Sequence, residues 1–138
     1  MKKVIFVCTG NTCRSPMAAA IAAKRATEEG SHVQFMSAGL AAADGQSASL
    51  NAAVVCDELG LDLSAHRSQQ LTADMLNGCD MIVCMSRSHL AALGGYADKA
   101  RLLGDGVNDP YGGNVADYRA CRDQITAELD RMWGDICG

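Results

Sequence analysis

The chain has 138 residues, 49% of them apolar, with seven cysteines, 4% aromatics and a net charge of −4. That length suits one domain over residues 1–138, with a core that needs no disulfides, and the apolar share excludes a disordered chain. The acidic balance argues against nucleic acid or an anionic membrane as partner, and no segment approaches the roughly 20 apolar residues that span a bilayer. An odd cysteine count fits a reducing compartment, so a cytoplasmic location is expected. Lys2-Lys3 before Ile5-Phe6-Val7-Cys8 imitates a signal peptide, but the apolar stretch is too short.

In chain order, residues 3–8 read as a first strand and 15–29 as a first helix ended by Gly30. Val33–Ser37 reads as a second strand, broken by Ala38-Gly39. Ser47–Leu59 reads as a second helix with Ser47 as its cap, and Thr72–Leu76 begins a short third one. Cys79–Met85 is the third strand, Ser86–Leu93 a further helix, and Lys99–Leu103 a weaker fourth strand. A final helix from about Val115 carries Ile125, Leu129, Met132 and Ile136 at helical spacing. This alternation predicts an α/β fold, a doubly wound parallel sheet with helices on both faces.

The most informative segment is Cys8-Thr9-Gly10-Asn11-Thr12-Cys13-Arg14. It follows the apolar run Val4–Val7 and precedes Ser15-Pro16, read as N-cap and first helical residue of an alanine-rich helix. A strand–loop–helix of this kind turns backbone N–H groups inward beside the positive end of the helix, which makes an anion cradle. Arg14 adds a planar fork for two oxygens, and the positive field at the loop floor favours a Cys8 thiolate. In doubly wound sheets the ligand lies beyond the carboxyl ends of the strands beside strand 1, where this loop sits. Asp109, stiffened by Pro110 after strand 4, opens on the same edge. It is the candidate proton donor for a leaving group, with Tyr111 as one wall of a substrate cleft.

Val7–Pro16 together with Asp109-Pro110 resembles the low-molecular-weight protein phosphatase family, and the resemblance covers essentially the whole chain, including Ser37-Ala38-Gly39 and His66-Arg67. It implies a four-stranded sheet in the order 2-1-3-4, a phosphorylated protein as substrate, and no cofactor or metal. Cys8 would form a cysteinyl-phosphate, Arg14 would bind the phosphoryl oxygens, and Asp109 would serve as acid and then as base toward water. Thr9, Gly10, Asn11, Thr12 and Cys13 would line the loop. Ser15 would hydrogen-bond the Cys8 sulfur, and Asn11, Ser37 and His66 would hold the loop in shape.

Thr12 and Gly112-Gly113 resemble the protein-arginine phosphatase branch, whereas many tyrosine-directed members carry Ile at the first position and a second Tyr after the one matching Tyr111. A charged, flat guanidinium is better received beside a hydroxyl than beside a branched alkyl group. Leu40-Ala41-Ala42-Ala43 offers no aromatic wall. Phosphoarginine is therefore the expected substrate, with phosphotyrosine as the alternative.

Other chemistries weigh less. Thiol-dependent arsenate reductases share the loop but need two relay cysteines; Cys84 stands near one expected place and Ala91 at the other. Cys8/Cys13 and Cys79/Cys84 have Cys-x4-Cys spacing, but an odd separation along a strand would put Cys79 and Cys84 on opposite faces. A non-catalytic phosphate-binding module would not need nucleophile, arginine and acid together. Cys13 is close enough to Cys8 to form a reversible disulfide block if the loop permits. Cys56, Cys79 and Cys121 read as packing residues. Oligomeric state is not legible in the sequence.

Overall fold

The computed structural model describes residues 1–137. Four parallel strands, β1 (Lys3–Cys8), β2 (Gln34–Gly39), β3 (Met81–Cys84) and β4 (Ala100–Leu102), form one sheet in the order β2-β1-β3-β4. Among the described residues five α-helices alternate with them: α1 (Arg14–Glu28), α2 (Leu50–Asp57), α3 (Ala73–Gly78), α4 (Arg87–Ala92) and α5 (Val115–Cys137). This is the α/β architecture and strand order expected from the sequence. Among the described residues, no helix is long and apolar enough to cross a membrane.

Strand alternation divides the interior into two layers. Val4, Phe6 and Cys8 of β1 join Met81 and Val83 of β3 against Met17, Ala18 and Ala22 of α1 and Ile125, Leu129 and Trp133 of α5. Ile5 and Val7 point the other way, with Ile82, Cys84, Leu71, Leu76 and Leu93. β1 is thus buried on both sides, which explains its unbroken apolar run. Phe6 stacks on Phe35 and Phe35 on Trp133, with ring centroids 5.9 and 6.0 Å apart, tying β1, β2 and α5 together. Truncating Phe6 to alanine would remove the fully buried end of this stack, a change that costs about 3–5 kcal/mol in a rigid core.

Several element boundaries differ from the sequence reading. α1 begins at Arg14 with Cys13 as its cap, and no side chain closes that end. Ser15 and Pro16 are already helical, because the Ser15 hydroxyl has partners elsewhere. α1 ends as read: Gly30 (φ +70°) lets Ser31 N–H reach the Ala26 carbonyl at 2.8 Å. The cap of α2 is Ser49, whose hydroxyl accepts from Ala52 N–H, rather than Ser47. β2 runs through Ala38-Gly39, Gly39 pairing with Cys8. Cys79 precedes β3 as the cap closing α3 and shares the second layer with Cys84, so the two cysteines are not on opposite faces.

Candidate active site

β1 ends at the carboxyl edge of the sheet, and there the chain turns sharply through residues 9–13 into α1. Asn11 takes the left-handed conformation (φ +58°), one that asparagine tolerates better than most residues. The turn is shaped by its carbonyls, which are drawn outward. Cys8 C=O accepts from Leu40 N–H (3.0 Å), Thr9 C=O from Ala41 N–H (2.9 Å) and Thr12 C=O from Ser49 N–H (2.9 Å). His66 Nε2 donates to Asn11 C=O at 2.7 Å, which places that ring's proton on Nε2. The amide N–H groups of residues 9–13 have no acceptor among the described residues, and these residues line the same cleft as Cys8. The loop can therefore offer several donors at once to a tetrahedral anion.

A chain of side-chain hydrogen bonds fixes the floor. Asn11 Oδ1 accepts from Gln69 N–H (3.0 Å), so its Nδ2 is the end that donates to Ser15 Oγ (2.8 Å). The Ser15 oxygen thus accepts from Asn11, and its own proton is free for Cys8 Sγ, 2.9 Å away. Cys8, Asn11 and Ser15 are all buried. Ser37 takes part through its carbonyl, which accepts from Gln69 Nε2 (2.9 Å), and Gln69 is the member of the network that sequence reasoning missed. The close approach of β2 is possible because residue 39 is glycine: a Cβ there would lie 2.5 Å from the Thr9 carbonyl oxygen.

Arg14 is buried, and its guanidinium is aimed from two sides. One Nη donates to Val107 C=O at 3.0 Å, and the other lies 3.6 Å from Asp109 Oδ2. Val107 N–H in turn binds Met85 C=O (2.7 Å), so the end of β3 sets the height of the Asp109 loop. Asp109 Oδ1 accepts from Tyr111 N–H (3.0 Å), while its side chain stays 54% exposed. Asn51 Nδ2 of α2 holds Gly113 C=O at 3.3 Å and anchors the far end of the same loop. Arg14 and Asp109, 95 positions apart in sequence, meet because β1 and β4 end on one edge.

Around the loop is a cleft of about 370 Å³, lined by Cys8 to Arg14, Ala41, Ala43, Gln46, Asp109 and Tyr111. Leu40, read from the sequence as a cleft residue, packs instead against the second layer, and its neighbours Ala41 and Ala43 form the wall. Thr12 is half-buried in the cleft, and the Tyr111 ring is 80% exposed at its mouth. A further hollow of about 420 Å³, between the Asp109 loop and α5, reaches none of residues 8–14.

Two more residues escaped the sequence reading. His89 of α4 is buried with Nε2 2.9 Å from Thr9 Oγ1, and Tyr118 of α5 lies with its hydroxyl 3.3 Å from Cys13 Sγ. Burial lowers the His89 pKa, the nearby Arg14 charge lowers it further, and Asp109 acts in the opposite sense. Burial, then the bond with Cys13, pushes the Tyr118 hydroxyl up to about 12. Among the remaining cysteines, burial raises Cys56 to about 11 and Cys84 and Cys121 to about 12, keeping them as thiols. Cys84 also lies in the layer on the opposite side of the sheet from Cys8.

The model of the low molecular weight phosphotyrosine protein phosphatase family matches residues 3–136. A protein-arginine-phosphatase from Geobacillus stearothermophilus is 37% identical over 94% of this chain and 93% of its own, and one from Bacillus subtilis is 35% identical over the same shares. The crystal structure of a low molecular weight protein tyrosine phosphatase from T. tengcongensis superposes with a TM-score of 0.93 at 35% identity, covering 98% of this chain and 99% of that one. The chain belongs to the low molecular weight phosphotyrosine protein phosphatase family and is, with it, a cysteine-dependent hydrolase.

Proposed function

We propose that this phosphatase releases phosphate from phosphoarginine side chains of proteins in the cytoplasm, residues 1–138 acting as one domain. The observation that carries the substrate assignment is the cleft wall. Thr12, Ala41, Ala43 and Gln46 are small or polar, and no buried aromatic ring stands among the cleft residues. A planar cation finds hydroxyl and amide groups there, and the half-exposed Asp109 side chain faces it. The relatives named protein-arginine-phosphatase support the same reading.

In the first step the Cys8 sulfur attacks phosphorus, the S–P bond forms and the P–N bond breaks. The P–N electron pair goes to the guanidine nitrogen, which takes the Asp109 proton. The inward N–H groups and Arg14 hold the three phosphoryl oxygens throughout, and their fixed orientation favours the transition state. In the second step water attacks phosphorus while the Asp109 carboxylate takes its proton. The S–P pair returns to Cys8, where the Ser15 proton receives it.

One observation favours phosphotyrosine as the second reading: the exposed Tyr111 ring at the cleft mouth could stack on a phenyl group. A side-by-side assay with phosphoarginine and phosphotyrosine peptides, and arsenate as a third substrate, separates the possibilities. Faster release from phosphoarginine, with Thr12→Ile shifting preference toward phosphotyrosine, is the expected result. The opposite wild-type preference would refute the substrate assignment.

A further inference from the structure

We infer that His89 is a positioning residue for this reaction: its Nε2–H holds the Thr9 hydroxyl and so fixes the first residue of the phosphate cradle. The inference rests on the Cys8 loop being the phosphate site. The loop is held mainly from one side, by Leu40, Ala41, Ser49, His66 and Gln69, all between β2 and α3. The exceptions are Cys13, whose sulfur meets Tyr118 of α5 at 3.3 Å, and Thr9. Ala41 N–H holds its carbonyl at 2.9 Å from the β2 side, and His89 Nε2 holds its hydroxyl at 2.9 Å from the β3–α4 side. The peptide that follows the nucleophile is thereby clamped between two elements.

The imidazole is nine-tenths or more buried, and its Nδ1 is the one buried side-chain polar atom without a partner among the described residues. An orphaned acceptor is less unfavourable than an orphaned N–H, which assigns the proton to Nε2 and makes His89 the donor. Burial and the Arg14 charge both favour this neutral form, against the weaker influence of Asp109. A buried nitrogen with no partner destabilises the fold. A residue serving packing alone would be replaced by leucine with no loss, because leucine fills the space without the orphaned atom. Precise placement of the Thr9 peptide, by contrast, matters most when charge develops on the phosphoryl oxygens, so its loss falls on kcat more than on KM.

The test is a double-mutant cycle with His89→Leu, Thr9→Val and the pair, plus His89→Gln, whose side-chain amide can reach the Thr9 hydroxyl. Each single variant should lower kcat roughly tenfold with KM little changed, less than the roughly hundred- to thousandfold cost of deleting a donor outright, because the Thr9 N–H is displaced and not removed. The double variant should lose no more than either single one, His89→Gln should recover most of the activity, and the Tm of His89→Leu should equal or exceed wild type. Unchanged kcat in His89→Leu, or additive losses in the double variant, would overturn the inference. If His89→Leu is poorly folded, Thr9→Val and His89→Gln still decide it: full activity in Thr9→Val, or none in a folded His89→Gln, counts against it. Wild type lacking turnover on phosphoarginine and on an aryl phosphate would refute the site reading itself, a result distinct from a harmless His89→Leu.

Discussion

Asn11 donates to Ser15 Oγ at 2.8 Å, so Ser15 need not spend its own proton on Asn11. That proton is available to the Cys8 sulfur 2.9 Å away. Ser15→Ala should therefore slow the step in which sulfur is the leaving group. A hydrogen bond to a charged group is worth about 1.5–3 kcal/mol, or about ten- to a hundredfold in rate. Pre-steady-state kinetics should show a burst of first product followed by a slow steady state. Unchanged steady-state turnover would contradict the assignment.

Gly39→Ala should damage the loop from outside it. The added Cβ would lie 2.5 Å from Thr9 C=O and 2.9 Å from the Ala42 methyl, so the backbone must shift. Overpacking of this kind costs about 1–3 kcal/mol. Thermal melting should show the loss of stability, and inhibition by inorganic phosphate should weaken with it. Wild-type phosphate affinity in Gly39→Ala would mean that the loop tolerates the displacement.

Cys8, Arg14 and Asp109 were legible because they combine a short motif with the rule that ligands sit at the carboxyl edge of a parallel sheet. Their placement there follows from the unbroken apolar run of β1 and from the weaker, three-residue β4. Ser15 was misread as a helix cap because a serine hydroxyl suits a cap and a buried network equally well. Only the neighbouring Asn11 and Cys8 decide between them. Gly39 was read as a strand breaker, although it continues the ladder and supplies the space the loop needs. His89, Gln69 and Tyr118 carry no local signal at all. Their roles arise from contacts 58 to 105 positions apart, made only when the helices pack.

Cys13 lies within the same buried layer as Cys8, its sulfur near Tyr118 Oη (3.3 Å) and Ser49 Oγ (3.5 Å). Peroxide should oxidise Cys8 to the sulfenic acid, from which the Cys13 thiol displaces water to form a disulfide. Wild-type activity should then return fully on adding a thiol, and Cys13→Ser should stay inactive after the same treatment. Equal recovery in both proteins would exclude the disulfide.

Away from the site, Arg119 and Arg122 hydrogen-bond Glu58 and hold its carboxyl down at about 2, from an ordinary value of 4.5. A depressed folded-state pKa stabilises above the ordinary value and loses that contribution as pH falls toward the folded one. Wild-type Tm should therefore drop between pH 4.5 and about 2 more steeply than that of Glu58→Gln. Parallel acid limbs for the two proteins would show that the pair contributes nothing.

Transfer of phosphate from arginine to Cys8 is the step on which the proposed reaction depends. Ser15→Ala slows departure of the sulfur from phosphorus without touching the acid of the first step, so its phosphorylated form should persist. Acid-quenched Ser15→Ala protein, mixed with a phosphoarginine peptide and mapped by mass spectrometry, should carry one phosphoryl group on Cys8, and Cys8→Ala protein none. Phosphate release from the peptide by wild type, with no phosphoryl group on Cys8 at any time after mixing, would contradict it.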